Sequence, residues 1–269
     1  MCFMVCKAQT PEIWFESCQN DDLNIVVSLQ QQFGRQRDQR SDGIHKFGFT
    51  GLLYAIQNNY IEMAKFLAKT ELDVYTETDA TYILNNKQFI LNGKSSALMF
   101  AIQIENFELA DHFAQLIQQD PSLQNHLDRL NFTSFHFLAM RDPNQSLTLI
   151  QNYSKYFLQE LSVTQKCKFN PLQIAVNCAN TEFIRFLLAL GQTSEFQPLI
   201  TNFTEKIDLF DDQIDELQKY CTLSSSIKVL EAKQLVKKFF VEDFQIPEWT
   251  GLKRIEKPQK KATERIMAV

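Results

Sequence analysis

The residue types most often used for catalysis and metal binding are few in this sequence and widely separated. The chain of 269 residues contains four histidines and six cysteines. No two cysteines form a Cys-x-x-Cys pair, and no cysteine lies at zinc-ligand spacing from a histidine. The motifs of P-loops, dinucleotide-binding turns, nucleophile elbows and zinc proteases are also missing. The sequence therefore predicts no metal, cofactor or small-molecule substrate. The residues concerned are His45, His112, His126, His136, Cys2, Cys6, Cys18, Cys167, Cys178 and Cys221.

Two weaker candidates for chemistry favour structural interpretations. Spacing alone does not exclude a catalytic cysteine activated by a histidine, although Cys18 and Cys178 are better suited to packing in the core. The acidic stretch 211–216 lacks the glycine and the alternating spacing of a calcium loop, so we expect a solvated helix face there.

Composition favours helices packed by large apolar side chains. Phenylalanine occurs 23 times and glycine only 7 times, which argues against a turn-dense β-sandwich or a glycine-rich nucleotide-binding fold. A net charge of -5 provides no overall attraction to nucleic acid or anionic membranes. The first residues lack the basic lead-in and long apolar core of a signal peptide, and no apolar run is long enough for a transmembrane helix. We expect a cytoplasmic protein.

The elements that position these residues are repeated along the chain. The segments 48–67 and 94–113 share the pattern Leu-x-x-Ala-Ile-Gln and, further on, Glu-x-Ala. Further copies follow when the central alanine is taken as an anchor. The five anchors are Ser17, Ala55, Ala101, Leu138 and Ala175, with separations of 38, 46, 37 and 37 residues. Spacing inside each unit is constant, which indicates a stacked array whose connecting loops absorb the insertions.

Each unit has the pattern of a helical hairpin. Four units carry a good N-cap residue five positions before the anchor, and an apolar residue three positions before it. Asn or Asp then recurs three to five positions after the anchor in most units, where a turn is needed. A second apolar period follows, so a capped helix, a turn and an antiparallel helix are predicted. The N-caps are Thr50, Ser96, Thr133 and Asn170.

These motifs resemble ankyrin repeats. The stretches beginning at Gly48, Asn131 and Phe169 look like the Gly-x-Thr-Pro-Leu-His-x-Ala opening of that family. The first copy, beginning at Trp14, looks like the opening cap of such arrays, especially divergent protist ones. The pattern departs from the family because histidine remains only at His136 and proline only at Pro171, and no glycine occupies the turn between the helices. The resemblance implies an all-α fold, an ankyrin-repeat α-solenoid of about five helix pairs, and a structural role for His136.

The predicted organisation has four parts. An N-terminal extension covers 1–10, and the repeats cover 11–195. A degenerate helical capping unit covers 196–246, with one helix starting at Thr204 and a second starting between Ser224 and Ser226. A basic tail covers 247–269. The repeats are assigned to about 11–45, 46–78, 92–127, 129–165 and 167–195, with an inserted finger at 79–91.

The finger and one helix face are the predicted partner-binding elements. Two β-type runs flank Asn85 and Asn86, which favours a β-hairpin over a disordered loop. In ankyrin arrays the residue before each anchor lines the concave face, so an aromatic strip bordered by polar residues is expected there. Packing of the same rings between neighbouring helices is the alternative. The candidate partner-binding residues are Tyr54, Gln57, Lys87, Phe89, Phe100, Gln103, Phe137 and Arg141.

The resemblance and the lack of a catalytic set predict a non-enzymatic, monomeric scaffold or adaptor that binds a protein partner. Two alternatives stay open at this point. One is a regulatory subunit or effector that inhibits an enzyme through the array, and the other is an enzyme with unrecognised chemistry in 196–269. Residues 251–269 contain six basic and two acidic side chains, yet a solubilising tail is favoured over contact with nucleic acid or anionic lipid.

Overall fold

α-Helices form most of the residues that the computed structural model describes, which are 9–42, 44–123, 126–164 and 167–241. Residues 1–8 of the predicted extension and the whole basic tail lie outside them. Within the described residues the first half of the chain forms α1 (Pro11–Gln19), α2 (Leu23–Phe33), α3 (Gly51–Gln57), α4 (Ile61–Glu71), β1 (Ala80–Leu84), β2 (Lys87–Leu91), α5 (Ala97–Gln103) and α6 (Phe107–Gln119).

Helices are the only regular secondary structure in the second half of the described chain. A short 3-10 turn, Pro121–Leu123, follows α6. The remaining elements are α7 (Ser134–Ala139), α8 (Pro143–Asn152), α9 (Ser154–Val163), α10 (Pro171–Asn177), α11 (Thr181–Leu190), α12 (Gln197–Glu205), α13 (Asp211–Leu217) and α14 (Ser226–Val241). The all-α prediction is therefore confirmed, with a single two-stranded sheet in the described part of the chain.

The predicted starts of the short first helices are confirmed. Each begins one residue after its expected N-cap, because the capping side chain accepts a backbone N–H that the helix itself cannot pair. Thr50 accepts from the N–H of Leu53, and Asn170 accepts from the N–H of Gln173 at 2.8 Å. Ser96 caps α5 in the same way.

Helix pairs contact their neighbours in chain order. The first helices α1, α3, α5, α7 and α10 each pack against the next one, and α4, α6, α8 and α11 do the same. The last pair, α10 and α11, is packed against α12 and α14. One apolar core runs through these contacts, and α9 adds a third helix to the fourth unit, contacting α7 and α8.

The turns inside the units are sharp and lack glycine. The residue four positions after the anchor has a positive φ in four units, the left-handed conformation that glycine adopts most easily. Asn and Asp tolerate this conformation, whereas Glu and Ala pay a steric cost for it. The four residues are Asp21, Asn59, Glu105 and Ala179.

One prediction for the C-terminal region is wrong. The helix expected to start at Thr204 does not form, since α12 ends at Glu205 and α13 begins at Asp211. α12 is a separate helix that was not predicted, and Pro198 in its first turn has the fixed φ that suits a helix start. The second expected helix is confirmed as α14, which begins at Ser226.

Candidate functional site

The predicted aromatic strip lies in the core. Tyr54 on α3, Phe100 on α5 and Phe137 on α7 have no exposed surface. The prediction that these rings form a partner-binding surface is therefore wrong, and packing between helices, the alternative, is what the structure contains. Phe49 lies between two of them, with ring centroids 5.3 Å from Tyr54 and 6.1 Å from Phe100.

The β-hairpin covers part of this strip. Strands β1 and β2 pair antiparallel, with Tyr82 opposite Phe89, and the turn at Asn85 and Asn86 has positive φ at both positions. This confirms the predicted hairpin. The ring of Tyr82 packs edge-on against Phe100 with centroids 5.7 Å apart. The finger therefore lies against the helices and does not project from them.

Side chains of the hairpin alternate between the core and solvent. Tyr82 and Phe89 are buried, whereas Ile83 is 75% exposed and its cross-strand partner Gln88 is also exposed; Lys87 is exposed at the turn. This alternation follows from the two-residue period of a strand that rests on an apolar surface. Of the two predicted finger residues, Phe89 thus belongs to the core and Lys87 to the surface.

Arg141 fastens the hairpin to the helices. Its guanidinium lies over the Phe89 ring at 5.7 Å from the centroid and donates a hydrogen bond to the Tyr82 hydroxyl at 3.2 Å. It also forms an ion pair with Glu105 at 3.6 Å. Since the Arg141 side chain is only 5% exposed, its charge is committed to these internal contacts and not to a partner.

The two glutamines predicted beside the strip differ in exposure. Gln103 is fully buried on α5, so its prediction as a partner contact is wrong, and Gln57 at the end of α3 is partly exposed. On its far side the hairpin reaches the segment after α13, where the N–H of Ile90 donates to the carbonyl of Lys219 at 3.0 Å. The hairpin is therefore held on its inner face by the helices and along the edge of β2 by the segment after α13.

A polar cluster lies under the hydroxyl of Tyr54. The hydroxyl donates to Asp38 Oδ2 at 3.0 Å and accepts from the N–H of Lys46 at 2.6 Å. Asp38 also receives hydrogen bonds from Arg40, and His45 Nδ1 lies 3.1 Å from its Oδ2. Burial alone would raise the pKa of Asp38, but the hydrogen bonds from Arg40 and Tyr54 lower it. The cluster fixes the loop before α3 and contains no activated nucleophile.

Lys46 connects this loop to the hairpin. Its ammonium donates to the carbonyl of Thr81 on β1 and lies 5.4 Å from the centroid of the Phe49 ring. Burial lowers the pKa of Lys46 to about 8. This lysine thus attaches β1, the strand that contains Ile83, to the loop before α3.

His136 has the structural role that the resemblance implies. Its Nδ1 accepts the N–H of Thr133 at 3.0 Å, and its Nε2–H donates to the carbonyl of Phe169 at 3.0 Å. Burial lowers the pKa of His136 to about 3, so the ring stays neutral at physiological pH. The ring stacks on Phe132 and joins two neighbouring units.

The groove most relevant to the enzyme alternative lies beside α10 and α12. It encloses about 360 Å³, and its lining includes Cys167, Lys168, Glu205 and Asp208. Cys167 Sγ donates to the carbonyl of Asn131 at 2.7 Å, and burial raises the pKa of this thiol to about 11. A thiol in this state is a poor nucleophile at neutral pH. Among the described residues no group of three His, Cys, Asp or Glu side chains is placed to hold a metal ion.

Several important residues had no signal in the sequence. Buried Glu71 and Glu160 accept backbone N–H groups at the starts of α3 and α7, from Leu52 and Phe135. These pairs are 19 and 25 residues apart in the chain. Leu52 and Phe135 occupy equivalent positions in the repeat, and each donates its N–H to a glutamate carboxylate. Each glutamate lies in the last turn of a helix that is distant in the chain.

No known family model matches the chain, and no curated protein matches it at a significant level. In the described part of the chain, none of the helices combines the length and hydrophobicity needed to cross a lipid bilayer.

Proposed function

We propose that this protein is a non-enzymatic, protein-binding scaffold built as a divergent ankyrin-type α-solenoid. The proposal is supported by the repeated motif, its constant spacing and the contacts between successive first helices. Units of this kind bury their apolar faces only by stacking, and the resulting arrays offer extended surfaces for partners. The buried strip of Tyr54, Phe100 and Phe137 is excluded from that surface.

The observation that carries the proposal is the exposed side of the hairpin. Ile83 is 75% exposed although its strand is attached by hydrogen bonds from Arg141 to Tyr82 and from Lys46 to the Thr81 carbonyl. A large apolar side chain on a rigid support loses little conformational entropy when it is buried by a partner. We define the outer hairpin surface as Ile83 and Gln88, which face each other across the strands, and Lys87 lies beside it at the turn.

The chemistry of this surface suits a protein partner. Ile83 requires an apolar pocket, and the exposed ammonium of Lys87 at the turn favours a nearby carboxylate. Adaptors and enzyme inhibitors would both use such a surface, and they differ only in what the captured protein does.

The experiment is affinity capture from an extract of the source cells with the full chain as bait. The variant Ile83→Asp places a charge at the centre of the outer hairpin surface. We expect it to capture at least tenfold less partner than the unmodified chain does. The matched control is Ile227→Asp on α14, where the replaced side chain is 72% exposed. It should capture as much partner as the unmodified chain.

Two outcomes would refute the proposal. Equal capture by Ile83→Asp and the unmodified chain would exclude the outer hairpin surface. Turnover of a substrate by the purified chain, with no protein captured, would favour the enzyme alternative. Inhibition of a captured enzyme would identify the protein as an inhibitor instead of an adaptor.

A further inference from the structure

Two cysteines from distant parts of the chain lie side by side at the end of α10. Cys178 follows the last residue of α10, and Cys221 lies four residues after the end of α13. Their Sγ atoms are 3.5 Å apart although the residues are separated by 43 positions in the chain. Cys221 is buried and Cys178 is partly exposed, so solvent reaches the pair from one side.

Hydrogen bonds outside the thiols hold the pair together. The N–H of Ser224 donates to the carbonyl of Asn177 at 2.9 Å, and the Ser224 hydroxyl donates to the carbonyl of Cys178 at 2.9 Å. These two bonds dock the segment after α13 onto the end of α10. The proximity of the two sulfurs is therefore a property of the backbone arrangement and does not depend on the thiol contact itself.

We infer that Cys178 and Cys221 are a redox modification site, at which a hydroperoxide such as hydrogen peroxide converts the two thiols into an intrachain disulfide. The partly exposed Cys178 is the attacking thiol and the buried Cys221 is the resolving thiol. This inference is independent of the proposed binding function.

The reaction balances with one peroxide for each disulfide. The Cys178 thiolate attacks one peroxide oxygen, the O–O bond breaks, and the leaving hydroxide takes up a proton to become water. Cys178 is then a sulfenic acid. The sulfur of Cys221 attacks that sulfur, the S–O bond breaks, and the departing hydroxide leaves as water with the proton from Cys221. Two thiols are oxidised by two electrons in total, and the peroxide is reduced to two waters.

The surroundings suit this division of roles. The contact with Cys178 and burial raise the pKa of Cys221 well above its ordinary value, so Cys221 stays a thiol. In the reduced chain the Cys178 thiol donates to Cys221 Sγ, and the Cys221 thiol donates to the carbonyl of Leu217 at 3.6 Å. Cys178 is the more accessible of the two thiols, and we expect oxidation over minutes in millimolar peroxide.

Closure of the bond requires little movement. A disulfide has an S–S distance of about 2.05 Å, so the sulfurs must approach by about 1.5 Å. Cys221 lies outside the helices, in a segment where side-chain rotation and a small backbone shift supply this distance. The new bond would close a long loop between α10 and the segment on which the hairpin rests through Ile90 and Lys219.

The experiment treats the reduced full chain with hydrogen peroxide and follows the intact mass and the cysteine-containing peptides. We expect a loss of 2 Da, reversed by dithiothreitol, and a peptide in which Cys178 is linked to Cys221. Closing the loop should raise Tm by about 5 °C or more. Peptide mapping separates this product from any bond that involves Cys2 or Cys6.

Cys167→Ser is the matched control, since Cys167 is also partly exposed but forms its sulfur contact with a carbonyl oxygen. This variant should form the linked peptide normally, whereas Cys178→Ser and Cys221→Ser should not. Recovery of Cys178 as sulfinic or sulfonic acid, or linked to any other cysteine, in the unmodified chain would overturn the inference. That result does not require any variant to fold.

Discussion

The hydroxyl of Tyr156 donates a hydrogen bond to Glu160 Oε1 at 2.6 Å, one helical turn away on α9, and both side chains are buried. The other carboxylate oxygen accepts from the N–H of Phe135 at 3.1 Å and from the hydroxyl of Ser134. The end of α9 thus satisfies orphan donors at the start of α7. Burial nevertheless raises the pKa of Glu160 to about 7.

This raised pKa makes stability depend on pH. Between the ordinary pKa of 4.5 and about 7, the folded state holds a proton that the unfolded state has lost, so stability decreases as pH rises through this range. The shift corresponds to roughly 3 kcal/mol. The side chain of the Glu160→Gln variant stays neutral, so its stability should not fall with rising pH in this range. The free energy of unfolding of the variant minus that of the unmodified chain should therefore increase by about that amount between pH 4.5 and pH 8.

Urea titrations at several pH values measure this difference. Glu182→Gln is the control, because Glu182 is half exposed in an ion pair with Arg185. The control should change the pH dependence by less than about 0.5 kcal/mol. Parallel pH profiles for Glu160→Gln and the unmodified chain would contradict the prediction.

The second prediction concerns the buried aromatic strip. Phe100→Ala should lower the free energy of unfolding by about 3–5 kcal/mol, since a fully buried ring is replaced by a cavity. Ile83→Ala removes an apolar side chain that is 75% exposed and should cost less than about 0.5 kcal/mol. Denaturant unfolding measures both, and similar costs for the two variants would show that the strip is exposed.

The third prediction concerns the sharp turn between α10 and α11. Ala179 has a φ of 51°, where a Cβ atom is unfavourable, so Ala179→Gly should stabilise the protein by roughly 0.5–1 kcal/mol. Ala189 lies inside α11, where Ala189→Gly should destabilise by a similar amount. Thermal or urea unfolding of the two variants tests whether the free energy of unfolding increases for Ala179→Gly and decreases for Ala189→Gly. Destabilisation by Ala179→Gly would contradict it.

The fourth prediction concerns the attachment of the hairpin. Arg141→Met removes the hydrogen bond to Tyr82 and the cation–π contact with Phe89, so local opening of the hairpin should become at least tenfold more frequent. Hydrogen exchange of the Ile90 amide, which donates to Lys219, measures this opening.

Arg129→Met is the matched control for the hairpin. Arg129 pairs with Asp79 next to the same hairpin, but its side chain is 59% exposed. We expect less than a threefold change in the exchange of the Ile90 amide, because exposed ion pairs contribute little. An Arg141→Met variant with the exchange rate of the unmodified chain would show that Arg141 does not hold the hairpin.

Local features were predictable because local energetics decide them. Thr50, Ser96 and Asn170 cap helices through atoms only three residues away, and the pair Asn85–Asn86 satisfies the positive φ that its turn requires. The constant spacing around the anchors indicated which helix faces are apolar. The starts of the capped first helices, the hairpin and the all-α class therefore followed from the sequence, whereas the helix start expected at Thr204 did not form.

The tertiary structure decided everything that depends on which distant surfaces meet. An apolar strip has the same pattern in sequence whether a partner or the chain's own hairpin covers it, so the burial of Phe100 by Tyr82 could not be predicted. The contacts of Glu160 with Phe135 and of Cys178 with Cys221 join residues 25 and 43 positions apart. No local preference encodes such separations, because they result from packing of the whole core. Local sequence patterns dictate the repeated helices, whereas packing of the whole core dictates which of their side chains stay available for chemistry or binding.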